Sequence, residues 1–150
     1  MKTRLDYAQA APTARAALLA LEKTVRESGL EKSLLELVRM RASQINGCAF
    51  CIDMHSRDAR VAGETEQRLY ALDAWRETPF FTERERAALE WTEAVTQVAE
   101  SRVPDAVYQN AISSFSEKEL ANLTLAVIAI NAWNRMAIAF RMQPAYQPPT

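Results

Sequence analysis

The chain has 150 residues, 18 Lys plus Arg against 19 Asp plus Glu, and 49% hydrophobic residues. That length supports one domain, spanning 1–150, with a core of its own, and the hydrophobic content excludes a largely disordered chain. A formal net charge of −1, with both signs interspersed, leaves no footprint for nucleic acid or for an anionic membrane surface.

Near the start, AAPTARAALLAL has some character of a signal segment, but Asp6 and Arg15 break its apolar run and Glu22-Lys23 follow closely. The better reading is an amphipathic first helix that begins near Thr13 and ends at Gly29. EKSLLELVRMRASQI continues the helical periodicity and stops at Asn46-Gly47, the strongest turn signal in the chain. CAFCIDMHSRDARVA runs from there to Gly63, and TEQRLYALDAW follows with Thr65 as a candidate N-cap. After the break at Pro79, Thr82 and Glu85 form a capping box for TERERAALEWTEAVTQV. Pro104 starts a further helix, and Ser116 with Glu119 opens a second capping box. No stretch alternates as a strand would. The expected class is all-α, a single domain of roughly six or seven helices.

The closing helix is apolar on almost every face from Leu120 to Ala139, so it should be buried all round, either centrally in the subunit or partly in a subunit interface. Asn131, Trp133, Asn134 and Arg135 then read as core or interface anchors rather than as a ligand site. A bilayer would tolerate Asn122, Asn131, Asn134 and Arg135 poorly. The expectation is a soluble, cytoplasmic protein with no membrane partner, in a compartment where a cysteine pair is more often catalytic or metal-binding than a structural staple.

Both cysteines and the only histidine lie within eight positions, in SQINGCAFCIDMHS. On a helix that begins near Cys48, the residues Cys48, Cys51 and His55 share one face within roughly 60° of arc. Cys51 and His55 are one turn apart, about 6 Å of rise, whereas Cys48 and His55 are two turns apart, about 10.5 Å. Two zinc ligands stand only about 4 Å apart, so Cys48 and His55 on one continuous helix cannot share an ion, and no second CxxC or His completes a site. A thiol–disulfide centre needs less. Two cysteines at a helix start can close a disulfide, and the helix N-terminus favours a thiolate at Cys48. The neighbouring imidazole favours Cys51, so spacing alone does not say which sulfur attacks. Across the Asn46-Gly47 turn, Glu36 comes nearly level with His55, with a mismatch of about 4.5 Å along the axis. Glu36 is therefore a candidate partner for the ring, although a surface pair with Lys32 or Arg39 is the simpler reading of its spacing.

Glu36, eleven residues, Cys48-Ala-Phe-Cys51, three residues and His55 together resemble the active-site signature of the AhpD-like alkylhydroperoxidases, within the carboxymuconolactone decarboxylase superfamily. The flanks LLELVRMRASQINGC, FTERERAALEWTEAV and NAWNRMAIAFR extend the likeness from about Leu30 to Arg141. The resemblance implies an all-α fold assembled as trimers or hexamers, and thiol-dependent reduction of a small-molecule hydroperoxide without a metal or other cofactor. It also implies that Cys51 is the attacking thiol, Cys48 the resolving thiol, and Glu36 with His55 the proton relay. A thiol or protein reductant would restore the dithiol. The sequence departs from the pattern at Phe50, where the best-known AhpD enzymes carry a second histidine, and Phe cannot relay a proton. The decarboxylase branch generally lacks the cysteine pair, which disfavours decarboxylation. Three functions remain: a peroxidase, a disulfide oxidoreductase or reductant for a partner peroxidase, and a non-enzymatic redox-sensing oligomer.

Overall fold

The computed structural model describes residues 1–146, and these contain only helices and connections. In chain order they are α1 (Tyr7–Ala10), α2 (Pro12–Arg26), α3 (Lys32–Asn46), α4 (Ala49–Val61), α5 (Glu66–Ala71), a 3₁₀ helix (Leu72–Glu77), α6 (Glu83–Thr96), α7 (Val98–Ser101), α8 (Asp105–Ser114) and α9 (Glu117–Phe140). The number exceeds the six or seven expected because the short elements α1, α7 and the 3₁₀ turn carry too few residues to show a helical period. Capping signals held where the spacing allowed them. Thr82 with Glu85 and Ser116 with Glu119 form both halves of their boxes, and Thr65 accepts from the Arg68 N–H. The first long helix starts at Pro12 rather than Thr13 and ends at Arg26, three residues before Gly29.

The centre of the fold is α3, which packs against α4, α6 and α9. Seven consecutive residues, Leu34 to Met40, are buried, including Glu36 and Arg39. Leu34, Leu35 and Val38 join Val25, Trp91, Phe115, Leu123 and Val127 in one cluster, while Leu37 and Met40 join Leu72, Trp75, Phe81 and Leu89 in a second. Of the two readings of the closing helix, full burial within one subunit is not what forms. By length and mean hydropathy α9 could cross a membrane, yet it packs along α2, α3, α6 and α4 and leaves Ile128 and Ile138 on its outer side, 49% and 45% exposed. Its polar Asn131 and Asn134 point inward and are buried.

The α3–α4 connection sets up the site. Gly47 sits at φ 68°, a left-handed conformation that costs a residue with a Cβ about 1–2 kcal/mol. Its N–H donates to the Gln44 carbonyl and the Cys48 N–H donates to the Ser43 carbonyl, which closes α3 in the Schellman manner. Cys48 is therefore both the residue after the turn and the N-cap of α4.

Candidate active site

Cys48 and Cys51 are free thiols, both buried, at the head of α4. The Cys48 Sγ takes the place of an N-cap oxygen and accepts the Cys51 backbone N–H at 3.4 Å. The Cys51 thiol also donates to it, and this is the largest influence bringing the Cys48 thiol down from 9.0 to about 7. Burial opposes the shift, while the N–H groups of Cys51 and Phe50 and the Asn134 side chain support it. The same hydrogen bond pushes the Cys51 thiol up, helped by burial and by the charge on Cys48. The shared hydrogen bond thus lowers the Cys48 thiol and raises the Cys51 thiol, which favours the charge on Cys48. Accessibility divides them the other way. Cys51 lines a partly open cleft of about 1000 Å³, and Cys48 lies behind it, outside the lining.

His55 follows Cys51 by one turn of α4 and lines the same cleft. Its Nδ1 lies 2.9 Å from Glu36 Oε2, across the α3–α4 pair. The other oxygen of Glu36 accepts from Arg39 Nη1 at 2.6 Å, and Arg39 Nη2 donates to Glu22 on α2 at 2.5 Å. A hydrogen-bonded chain therefore runs Glu22–Arg39–Glu36–His55, buried except at Glu22. Burial is the largest influence on Glu36 and would raise its carboxyl, but the hydrogen bond with His55 and the Arg39 charge outweigh it, so Glu36 lies below its ordinary 4.5. An ionised Glu36 accepts a proton-bearing Nδ1, which leaves Nε2 as the ring nitrogen that Glu36 does not engage. Spacing had made Arg39 and His55 rival partners for Glu36. The carboxylate serves both, one with each oxygen.

Three residues beside the thiols had no local signal. Asn134, fully buried on α9, donates to Ser43 Oγ and accepts from Asn46, which anchors the end of α3 next to the cysteine turn. Trp133 turns to the cleft with Phe50, Met54 and Met142. Glu22 reaches the network from another helix. The sequence reading had taken Trp133 and Asn134 for core or interface anchors. Asn134 is a core residue that also touches the chemistry, and its separation from Cys48 in the chain hid the link. Among the described residues, one group could offer ligands to a cation: Glu36, His55 and Asp58 bring one atom each within 4.8 Å of the others. Both oxygens of Glu36 are already engaged by Arg39 and His55, and the guanidinium repels a cation, so this donor set fits proton handling better than metal binding.

Fold and site together define an all-helical dithiol protein in which a CxxC pair at a helix N-terminus faces a cleft beside a buried carboxylate–imidazole pair. The sequence profile of the carboxymuconolactone decarboxylase family matches residues 8–94, and the chain belongs to that family. It is 43% identical over 139 residues to the uncharacterized protein YdfG of Bacillus subtilis, covering 93% of this chain and 95% of that one. A solved structure from Agrobacterium tumefaciens superposes with a TM-score of 0.95 at 46% identity, covering 97% of this chain and 100% of the other. That protein is of unknown function, with a suggested role as the antioxidant defence protein AhpD. A shorter match, 44% identical over 41 residues, covers 27% of this chain and 22% of the alkyl hydroperoxide reductase AhpD of Bradyrhizobium diazoefficiens. The chain is AhpD-like within its family.

Proposed function

We propose that this protein is a dithiol hydroperoxide reductase in which Cys51 attacks and Cys48 resolves, with His55 and Glu36 as the proton relay. The observation that carries the reading is the buried Glu36–His55 contact at 2.9 Å, one helical turn from Cys51 of the CxxC pair. Cys51 loses its proton to His55 Nε2 or to the Cys48 sulfur. Its thiolate attacks the terminal oxygen of the hydroperoxide, the O–O bond breaks, and an alcohol leaves once the alkoxide gains a proton. Cys51 is then a sulfenic acid; the Cys48 sulfur attacks it, the S–O bond breaks, and the hydroxide leaves as water with the proton of the Cys48 thiol or, where Cys48 is a thiolate, one from solvent. Both electrons come from the two sulfurs, and an external thiol or protein dithiol restores them by exchange.

The cleft favours a small organic peroxide over a protein disulfide. Cys51 is 2% exposed, and Phe50, Met54, Trp133 and Met142 form an apolar wall beside it. A partner's disulfide sulfur would have to enter that cleft to meet Cys51, whereas an alkyl hydroperoxide fits it. A cycling free dithiol also suits the reducing cytoplasm. The outer stripe of α9 with Ile128 and Ile138 is the surface we assign to homo-oligomer contact. The test is a panel of hydrogen, cumyl and tert-butyl hydroperoxides, each with several thiol and dithiol reductants, on wild type and on Cys48→Ser. Turnover with an organic hydroperoxide, lost in Cys48→Ser, is the expected result. No turnover with any pair, together with capture of a protein by Cys48→Ser as a mixed disulfide, would replace this reading by the disulfide-oxidoreductase one.

A further inference from the structure

Breaking the O–O bond of an alkyl hydroperoxide releases an alkoxide, a strong base that leaves slowly unless a proton meets it. His55 is arranged for the opposite task. Its Nδ1 is held by Glu36, so the nitrogen left for the reacting groups is the one that accepts a proton. Phe50, next to Cys51 on the cleft, has none to give.

Tyr7 does. It is the first residue of α1, and the segment around it is fastened at both ends. The Arg4 N–H donates to the Phe140 carbonyl at 2.9 Å, Arg4 Nη1 donates to the Ala139 carbonyl at 3.1 Å, and Asp6 caps α1 through the N–H groups of Ala8 and Gln9. The Tyr7 ring is buried and stacks on Phe140 with centroids 5.9 Å apart. Its side chain lines the same cleft as Cys51 and His55. The phenol makes no hydrogen bond to a protein group among the described residues, yet every fully enclosed side-chain polar atom there has a partner. The oxygen therefore opens on the cleft. A buried ring held in place, with an uncommitted O–H on the cleft that Cys51 also lines, is a group placed to meet a ligand.

We propose that Tyr7 donates the proton to the departing alkoxide, in the cleft it shares with Cys51 and the His55–Glu36 pair. This rests on the hydroperoxide-reductase reading and names the general acid it leaves open. As the Cys51 sulfur bonds to the terminal oxygen, the O–O electrons pass to the alkoxide oxygen, which takes the Tyr7 proton and leaves as alcohol. The phenolate recovers a proton from the imidazolium of His55, which had received it from the Cys51 thiol. The sum is thiol plus hydroperoxide to sulfenic acid plus alcohol, with no proton gained or lost. The phenol is in its acid form for the task. Burial raises it from 10.0, against an opposing pull from Arg15, and the negative charge of Asp6 adds to the rise.

A general acid matters in proportion to the basicity of the group it helps to leave, and this gives a test that a structural role does not pass. Reduced wild type and Tyr7→Phe are each oxidised in single-turnover experiments by cumene hydroperoxide, which releases an alkoxide, and by peracetic acid, which releases acetate and needs no proton. Tyr7→Phe keeps the ring and its stacking, and circular dichroism checks the fold. The expected result is a loss of roughly 10- to 1000-fold with cumene hydroperoxide and a change within about threefold with peracetic acid. Equal losses with both oxidants would make Tyr7 a packing residue, and no loss with cumene hydroperoxide would remove it from the reaction. In either case wild-type oxidation by the hydroperoxide leaves the parent reading standing. A wild type that no hydroperoxide oxidises overturns both.

Discussion

Replacing Glu36 by Gln tests the relay with little change of volume. In the native protein each carboxylate oxygen accepts one hydrogen bond, from Arg39 at 2.6 Å and from His55 at 2.9 Å. A carboxamide has one acceptor and one donor. Its oxygen will go to the charged Arg39, the stronger donor, and its NH₂ will then face His55 Nδ1. That pairing requires Nδ1 to be the bare nitrogen, so the ring proton moves to Nε2 and the basic face is lost. The expected effect is a fall of about 10²- to 10⁴-fold in the rate of Cys51 oxidation, the range for a lost general base. His55→Gln should fall by a similar factor, and the double variant by little more than the worse single, because the two act as one unit. Arg39 keeps Glu22, so the loss of stability in Glu36→Gln should be about 1–3 kcal/mol, within what a domain of this size can bear. The stability difference also carries a pH signature. Glu36 lies below its ordinary 4.5 in the folded state, so its contribution is present above that pH and lost as pH falls through the folded value. Wild type and variant should converge in acid. Stopped-flow oxidation across pH and urea unfolding at pH 7 and pH 3 provide the measurements. Wild-type oxidation rates in both single variants would reduce the Glu36–His55 contact to a structural ion pair.

Thiolate absorbance of the reduced protein should show one step near pH 7, absent in Cys48→Ser and moved upward in Asn134→Ala, whose amide supports the charge. Because the folded Cys48 value is lowered from 9.0 to about 7, the reduced protein should gain stability as pH rises from about 7 towards 9.0, measurable by urea unfolding at each pH. Mass spectrometry after mild peroxide should find two hydrogens lost within the peptide that holds Cys48 and Cys51, and independent oxidation of the two sulfurs would remove the resolving role of Cys48. Light scattering at micromolar concentration should give an oligomer whose mass drops in Ile128→Asp, and a monomeric wild type would sink the α9 interface.

The helical class, the two capping boxes and the CxxC-to-His arrangement on one helix face were legible in the sequence because each depends on residues within two turns of one another. Spacing also put Glu36 within reach of His55, but left a surface pair with Lys32 or Arg39 as the simpler reading. Burial of Glu36, Arg39 and His55 depends on α3 becoming the central helix, and α3 is less apolar than α9 in composition. Packing reversed the order that hydrophobicity suggests, since Glu36 and Arg39 pair inside, with Glu22 at the edge, while Ile128 and Ile138 of α9 remain outside. The division between the sulfurs is likewise tertiary. The Asn134 amide comes from a helix far along the chain, and the cleft that reaches Cys51 but not Cys48 is walled by the N-terminal segment, α2, α3, α4 and the end of α9. Helical periodicity reports which face of a helix is apolar, and contacts between distant segments leave no trace in it. The identity of the reactive residues was therefore written locally, while their charge, proton partners and access to substrate were decided by what the fold brings against them.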